Sequence, residues 1–361
     1  MEWTKNDQNT KPKKTNILEL QVKFLAPGMQ IAKDVFSFDG KILVSEGKEV
    51  SQYTIKKLQE WQIDTVLIVQ EKAANPLVRS EVQQFINTYN QSIDVVNKAF
   101  ETTRKTQEVP FAVFVEASKE IQRSIPAGGN IIDQLYNLPP CDDYTFRHSV
   151  NVSVITALLA GWLGYPPDIV NHMSLVGLLH DIGKSQLPPH ILHRPNLLPD
   201  GDYKLYKKHT HYGYELLQKA LDIPQTVKSG VIAHHEREDG SGYPYHLTGD
   251  KIHPYAKIVA IADLYDEGMT INRDADMLLS PYTALERLKE NIYKIDARAA
   301  ITFIDRMTNF LSGNVVVLTD SQVGRVVFIN KDIPSRSIIQ LEDGQVVDLT
   351  ETPDVHILHL I

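Results

Sequence analysis

Residues 17–72 alternate apolar and polar positions with the two-residue period of a half-buried strand. NILELQVKFL and KILV are expected strands, with turns at Pro27-Gly28 and Asp39-Gly40. VSQYTIKKLQEWQ changes to helical spacing, with Ser51 as its N-cap, and DTVLIVQ returns to a strand. Residues 77–106 contain little Gly or Pro and predict one long connecting helix.

From residue 110 the period is helical. TFRHSVNVSVITALLAGWLG is apolar on most sides, which predicts a buried helix, and DIVNHMSLVGLLHDIG predicts a second. DGDYKLYKKHTHYGYELLQKAL predicts a third, with Tyr206, His209, Gly213, Leu216 and Ala220 on one face. PQTVKSGVIAHHE follows, opened by Pro224, then HPYAKIVAIADLYDE. SPYTALERLKE and DARAAITFIDRMTNFL have Ser280 and Asp296 as N-caps. The tail of the chain alternates again: NVVVLTD, GRVVFIN, SIIQLE, QVVDL and VHILHLI predict short strands. The expected fold is mainly α, a helical bundle flanked by a small N-terminal α+β module and a small C-terminal β domain. The boundaries are a disordered tail over 1–16, the α+β module over 17–73, the connecting helix over 74–109, the helical domain over 110–312 and the β domain over 313–361.

Composition narrows the function classes. The chain has 361 residues, 42% hydrophobic and 23% charged, in the ordinary globular range. Its net charge of −8 argues against DNA as a partner, so an anionic ligand needs a metal or a few placed cations. Cys141 is the only cysteine, which rules out an internal disulfide and fits a cytoplasmic location. MEWTKNDQNTKPKKTN lacks the apolar centre of a signal peptide, and no run reaches the roughly 20 apolar residues of a membrane span.

Thirteen histidines are the unusual count, and most lie between His148 and His253. His148 stands at the start of an apolar run, and His180 and Asp181 close another. His209 occupies a core face, His234 or His235 continues the Val227–Val231 stripe, and Asp263 interrupts KIVAIADLY. Each alone is more often a hydrogen-bonded core polar group than a ligand, and Asp181 with Lys184 reads equally well as a simple helix-end pair. Five such intrusions on five apolar helices have one shared partner as their economical explanation. Imidazole with carboxylate, and no sulfur, suits divalent transition metals, Fe or Mn first, with Zn, Co or Ni as alternatives. Seven candidates exceed the need of one ion. Two ions roughly 3.5–4 Å apart would share them, with Asp181 as the bridge.

The ordered set HS at 148–149, HDIGK at 180–184, H-x-x-x-G at 209–213, HHERxDGSGYP at 234–244 and D-x-x-D at 263–266 resembles the HD-GYP family. These are metal-dependent phosphodiesterases of cyclic dinucleotides, above all cyclic di-GMP, in the HD phosphohydrolase superfamily. The resemblance covers roughly residues 140–310. It implies an HD-type bundle, with His148, His180, Asp181, His209, His234, His235 and Asp263 as ligands of a binuclear centre. It implies Asp181 and Lys184 as catalytic groups, Lys184 contacting the scissile phosphate, and Lys184, Arg237, Tyr243 and Arg273 on the substrate side. A metal-bridging hydroxide would open cyclic di-GMP to pGpG and further to GMP. The GYP loop is also a place for diguanylate cyclase domains to dock. The N-terminal module carries no chemistry of its own and is assigned to partner binding or homodimerisation.

Two departures stand out. Some members hold a third ion with a glutamate four residues before the first histidine, where this chain has Tyr144, so two ions are expected. After Asp263 the family reads D-A-L-T-S-x-R-P-Y, whereas this chain reads Asp266-Glu267-Gly268-Met269-Thr270-Ile271-Asn272-Arg273-Asp274. That difference bears on substrate identity and turnover, not on metal binding. The alternatives are an HD-GYP protein that binds a cyclic dinucleotide without cutting it, and a phosphohydrolase of another cyclic dinucleotide.

Overall fold

The computed structural model describes residues 16–22, 25, 29–37, 41–48, 50–61, 63–70, 76–126, 135, 144–192, 198–220, 222–270, 280–341 and 343–360. The chain forms two compact units, Met1–Arg79 and Ser80–Ile361. Residues 1–15 of the expected tail, the two N-terminal turns, Cys141 and Arg273 lie outside the described residues, and so does the side chain of Tyr144, while Asn16, the tail's last expected residue, belongs to a strand.

In the first unit the elements run β1 (Asn16–Gln21), β2 (Val35–Phe36), β3 (Ile42–Val44), α1 (Gln52–Glu60) and β4 (Thr65–Gln70). β1 and β4 pair antiparallel, Asn16 opposite Gln70 and Gln21 opposite Thr65. β2, too short to show alternation in the sequence, pairs with β3. Ser51 caps α1 by accepting from the Thr54 N–H, as its sequence position requires. Ile31 and Leu58 are fully buried in this small core.

α2 (Pro76–Thr106) carries the chain into the second unit. There follow α3 (Phe111–Ser124), α4 (Tyr144–Trp162), α5 (Pro167–Leu179) and a 3-10 turn over Ile182–Gln186. Next come α6 (Pro189–Leu192), α7 (Asp200–Tyr206), α8 (His209–Gln218) and α9 (Gln225–Ala233). α10 (Pro254–Thr270), α11 (Pro281–Glu290) and α12 (Ala297–Leu311) complete the helices. α4 and α5 are apolar nearly all round because they are surrounded by other helices. α12 shows the opposite case. It buries Ala299, Ala300, Phe303, Ile304, Met307 and Leu311 at three- and four-residue spacing and exposes the rest. Ser280 and Asp296 cap α11 and α12, accepting from Thr283 N and Ala299 N.

One expected helix is two. The run from Asp200 was read as continuous, but α7 stops at Tyr206 and α8 starts at His209. The backbone tightens between them, Lys208 N–H donating to the Leu205 carbonyl three residues back. No Gly or Pro stands at the join, and Lys207 and Lys208 keep right-handed helical backbone angles.

β5 (Val315–Leu318), β6 (Val323–Phe328), β7 (Ile338–Leu341), β8 (Val346–Asp348) and β9 (Ile357–Leu360) form one antiparallel sheet in the order β8-β7-β6-β5-β9. Val316, Leu318, Val326, Ile339 and Ile357 point inward and join the same continuous core as the helices.

Candidate metal centre

Three of the histidines share a local design. His180 follows the last residue of α5, His234 follows the last residue of α9, and His209 opens α8 just beyond α7. Each ring donates from Nδ1 to the carbonyl three residues earlier: His180 to Gly177 at 2.8 Å, His209 to Tyr206 at 2.8 Å, His234 to Val231 at 2.6 Å. Those carbonyls belong to the last turns of helices, which lack helical partners. A carbonyl only accepts, so Nδ1 carries the hydrogen, and in the neutral ring Nε2 is left with a lone pair. The backbone itself therefore selects the tautomer that presents Nε2.

These lone pairs converge. His209 Nε2 lies 3.4 Å from His234 Nε2, and His180 Nε2 lies 3.2 Å from His148 Nε2. Asp181 turns one oxygen each way: Oδ1 is 3.5 Å from His209 Nε2, while Oδ2 is 3.4 Å from His180 Nε2 and 3.7 Å from His148 Nε2. Asp263 Oδ1 lies 3.1 Å from His148 Nε2, and its Oδ2 lies 3.8 Å from His235 Nδ1. His148, His180, Asp181, His209, His234 and Asp263 are buried, and His235 is half-buried at the edge. The donors fall into the triads His209–His234–His235 and His148–His180–Asp263, and a third set, His180–Asp181–His234, lies across both. Each set keeps its ligand atoms within 4.8 Å of one another.

The electrostatics ask for cations. Burial pushes His209 down to about 4, and burial with neighbouring imidazoles holds His234 and His235 well below the ordinary histidine value. Neutral rings with lone pairs face to face repel each other unless something positive sits between them. Asp181 Oδ1 and Asp263 Oδ2 are buried with no hydrogen-bond donor, a costly state for carboxylate oxygens. Burial opposes their charge, yet Lys184 beside Asp181 and the His148 hydrogen bond to Asp263 hold both carboxyls well below the usual range. Burial also opposes charge on His148, but its bonds to Asp263 and Asp266 win and raise it to about 10. The donor set, the orphaned oxygens and the facing lone pairs all fit divalent metal ions.

The substrate-side residues are divided. Lys184 Nζ pairs with Asp181 Oδ2 at 2.5 Å and lies 5.2 Å from the centre of the Tyr206 ring. Burial works against its charge, and Asp181 more than compensates, so the ammonium is held above its ordinary value. Tyr243 stacks on His235, ring centres 4.6 Å apart, at the rim of the cluster. Lys207 Nζ lies 5.5 Å from that same ring. A groove of about 490 Å³ opens beside Tyr243, lined also by Lys207, Lys208 and His211. Arg237 instead donates to the carbonyls of His234 (3.3 Å) and Glu236 (2.9 Å).

The HHEREDGSGYP loop is built from its own residues. Both oxygens of the buried Glu236 carboxylate accept backbone N–H groups, Tyr245 at 2.6 Å and Leu247 at 2.9 Å. Glu236 thus anchors the loop. Asp239 fixes the turn by accepting from the Ser241 N–H and hydroxyl. A methyl group at Gly242 would overlap the His235 carbonyl and the Arg237 nitrogen, and one at Gly183 would overlap the His209 carbonyl. α10 continues through Glu267 and Gly268 to Thr270, so these residues do not loosen its end. The charge of Glu267 adds to burial in raising the Tyr206 and Tyr243 phenols, placing a carboxylate's influence near the rim.

Two residues at the centre had no assigned role in the sequence. Asp266 Oδ2 accepts from His148 Nδ1 at 2.7 Å, and Asp266 Oδ1 accepts from the Asn151 amide at 2.7 Å. Their signals were present: Asp266 is one helical turn after Asp263, and Asn151 one turn after His148.

The profile of the HD domain family matches residues 138–298. The chain is 31% identical over 228 residues to the cyclic di-GMP phosphodiesterase PA4108 of Pseudomonas aeruginosa, covering 63% of this chain and 55% of that protein. It is 38% identical over 122 residues to the 3'3'-cGAMP-specific phosphodiesterase 1 of Vibrio cholerae, covering 34% of this chain and 28% of that protein. The chain thus spans about half the length of the first relative and about a quarter of the second. Bd1817, a HDG"Y"P protein from Bdellovibrio bacteriovorus, shares the fold, with a TM-score of 0.54, 18% identity, and coverage of 81% of this chain and 99% of that one. Among the described residues no helix is long and apolar enough to cross a membrane. The motifs, the buried histidine–aspartate cluster and these relatives agree: residues 138–298 carry an HD domain, and the chain is similar to HD-GYP proteins.

Proposed function

We propose that the chain is a metal-dependent phosphodiesterase that hydrolyses a cyclic dinucleotide, with cyclic di-GMP as substrate, pGpG as first product and GMP as further product. The observation that carries this reading is Asp181, whose two oxygens face two separate groups of imidazole nitrogens. His148, His180 and Asp263 would hold one ion, His209, His234 and His235 the other, and Asp181 would bridge them. Fe or Mn is the preferred metal for this nitrogen–oxygen set. Such a pair lowers the pKa of water and neutralises charge on a phosphoryl group.

The chain's own residues do the rest. The backbone carbonyls of Gly177, Tyr206 and Val231 hold the imidazoles in one tautomer, so no reorganisation is needed during turnover. Lys184 stays charged beside Asp181 and offers a cation to a non-bridging phosphate oxygen. Tyr243 gives a flat ring at the rim, suited to a base or ribose. Lys207 and Lys208 in the adjoining groove suit the second phosphate of a cyclic dinucleotide. Arg237, occupied by the helix end, acts on the substrate only through the position of the loop.

The test is a panel of cyclic di-GMP, 3'3'-cGAMP and pGpG, offered to anaerobically metal-loaded protein and to its Asp181→Ala variant. Turnover that the variant lacks is expected. Binding of a cyclic dinucleotide without turnover would replace the enzyme by a receptor, and turnover of 3'3'-cGAMP alone would replace the substrate.

A further inference from the structure

We infer that Tyr89, on the long helix α2, is a positioning residue for His148 and makes the placement of α2 part of the metal centre. The inference rests on the reading of His148 as a ligand. A single file of buried hydrogen bonds joins the two residues. The Tyr89 hydroxyl donates to Asn151 Oδ1 at 2.6 Å, Asn151 Nδ2 donates to Asp266 Oδ1 at 2.7 Å, and Asp266 Oδ2 accepts from His148 Nδ1 at 2.7 Å. All four residues are buried, with exposures from 0% to 3%.

The file has only one direction. An ionised carboxylate accepts and never donates, so Asp266 must face the amide nitrogen of Asn151. The amide oxygen then faces Tyr89, and the phenol must be the donor. At the other end the same carboxylate requires hydrogen on His148 Nδ1. That is the tautomer whose Nε2 faces Asp263, Asp181 and His180. His180, His209 and His234 obtain this tautomer from helix-end carbonyls. His148 lies within a helix, where carbonyls are taken by the helix itself, and obtains it from Asp266.

The file also links separate elements. Tyr89 belongs to α2, Asn151 and His148 to α4, and Asp266 to α10. α2 begins at Pro76, within the first unit's residues, and runs unbroken into the second. One residue of helical rise is about 1.5 Å, and a displacement of that size directed along the bond takes a 2.6 Å contact beyond hydrogen-bond range. A shift of α2 away from Asn151 would therefore release Asn151, free Asp266 to move, and weaken the hold on His148. By linkage, an ion bound at His148 would in turn hold α2 in place.

The experiment compares the full chain with its Tyr89→Phe and Ser153→Ala variants. Tyr89→Phe removes one hydroxyl and keeps the ring. Ser153→Ala removes a buried α4–α5 hydrogen bond, Ser153 to Ser174 at 2.8 Å, that takes no part in the file. Mn²⁺ is titrated by calorimetry, and hydrogen exchange is followed over residues 80–106 with and without Mn²⁺. Tyr89→Phe is expected to weaken Mn²⁺ binding by up to about 10-fold, the low end for outer partners of metal-bound histidines. It is also expected to shrink the protection that Mn²⁺ confers on α2, while Ser153→Ala changes neither. Wild-type affinity and protection in Tyr89→Phe, or an equal loss in Ser153→Ala, would overturn the inference. If the wild type binds neither Mn²⁺ nor Fe²⁺, the metal reading fails, and the inference falls with it.

Discussion

At the scale of single residues, the centre works by arranging proton positions before any ion arrives. His148 is the clearest case. Its ring is held at about 10 by Asp263 and Asp266 against the opposing effect of burial, so at neutral pH it carries a proton that a metal must displace. Mn²⁺ affinity is therefore expected to rise by about tenfold per pH unit between pH 6 and 8, with one proton released per ion at that ligand. Calorimetry in buffers of different ionisation enthalpy counts that proton. His209 shifts the other way, to about 4 because it is buried. A histidine depressed below its unfolded value near 6.5 contributes stability above that pH and loses it as pH falls towards 4. His148, raised above 6.5, contributes fully throughout that window and does not oppose the loss. Chelated protein should thus show a falling urea midpoint from pH 6.5 to 4. Glu267 stands near the end of α10, and its charge reaches the Tyr206 and Tyr243 phenols. Glu267→Ala is expected to lower KM for an anionic dinucleotide by about 2- to 5-fold with little change in kcat, the effect of removing one partly screened like charge. An unchanged KM would separate Glu267 from the substrate path.

At the scale of elements, helix ends decide the chemistry. The adjacent pair His234-His235 was legible in the sequence as two candidate ligands, although neighbouring residues cannot share a helix face. The structure gives the reason they need not: α9 ends at Ala233, and the turn that follows aims the two rings separately. The split between α7 and α8 was not legible. Residues 200–221 have no Gly or Pro at the join, and the tightened turn at Lys208 puts His209 at the start of α8, where it faces Asp181. The GYP loop depends on Glu236 in the same local way. Glu236→Ala would leave the Tyr245 and Leu247 N–H groups without their acceptor. Its expected cost is about 1–3 kcal/mol per unsatisfied group. Faster hydrogen exchange over residues 238–247, with metal content retained, would be the signature. Loss of metal along with the loop would mean that Glu236 supports the imidazoles after all.

At the scale of the whole chain, the sheet of β5 to β9 shares one core with the helices, although its sequence reads as a separate module. Val316, Leu318, Val326 and Ile357 bury the face that a free-standing sheet would have to cover by other means. Residues 80–361 should therefore unfold in one cooperative transition by calorimetry. A chain ending at Leu311 should lose a large part of its thermal stability, because it would expose that side of the core. Two resolved transitions would assign the sheet an independent fold.

The sequence by itself determined the main helices, the C-terminal strands, several helix caps and the seven histidine and aspartate positions. These are properties of local spacing: periodicity, capping residues and short motifs act over a few neighbours. Only the tertiary structure decided which atoms of those side chains meet, which ring nitrogen carries hydrogen, and that Asp181 divides its oxygens between two sets. It alone made Asp266, Asn151 and Tyr89 into one file, because those contacts span separations of 62 to 118 residues. A hydrogen bond across such a distance leaves no period in the sequence. It arises when packing brings three helices together and buries polar groups that must then satisfy one another.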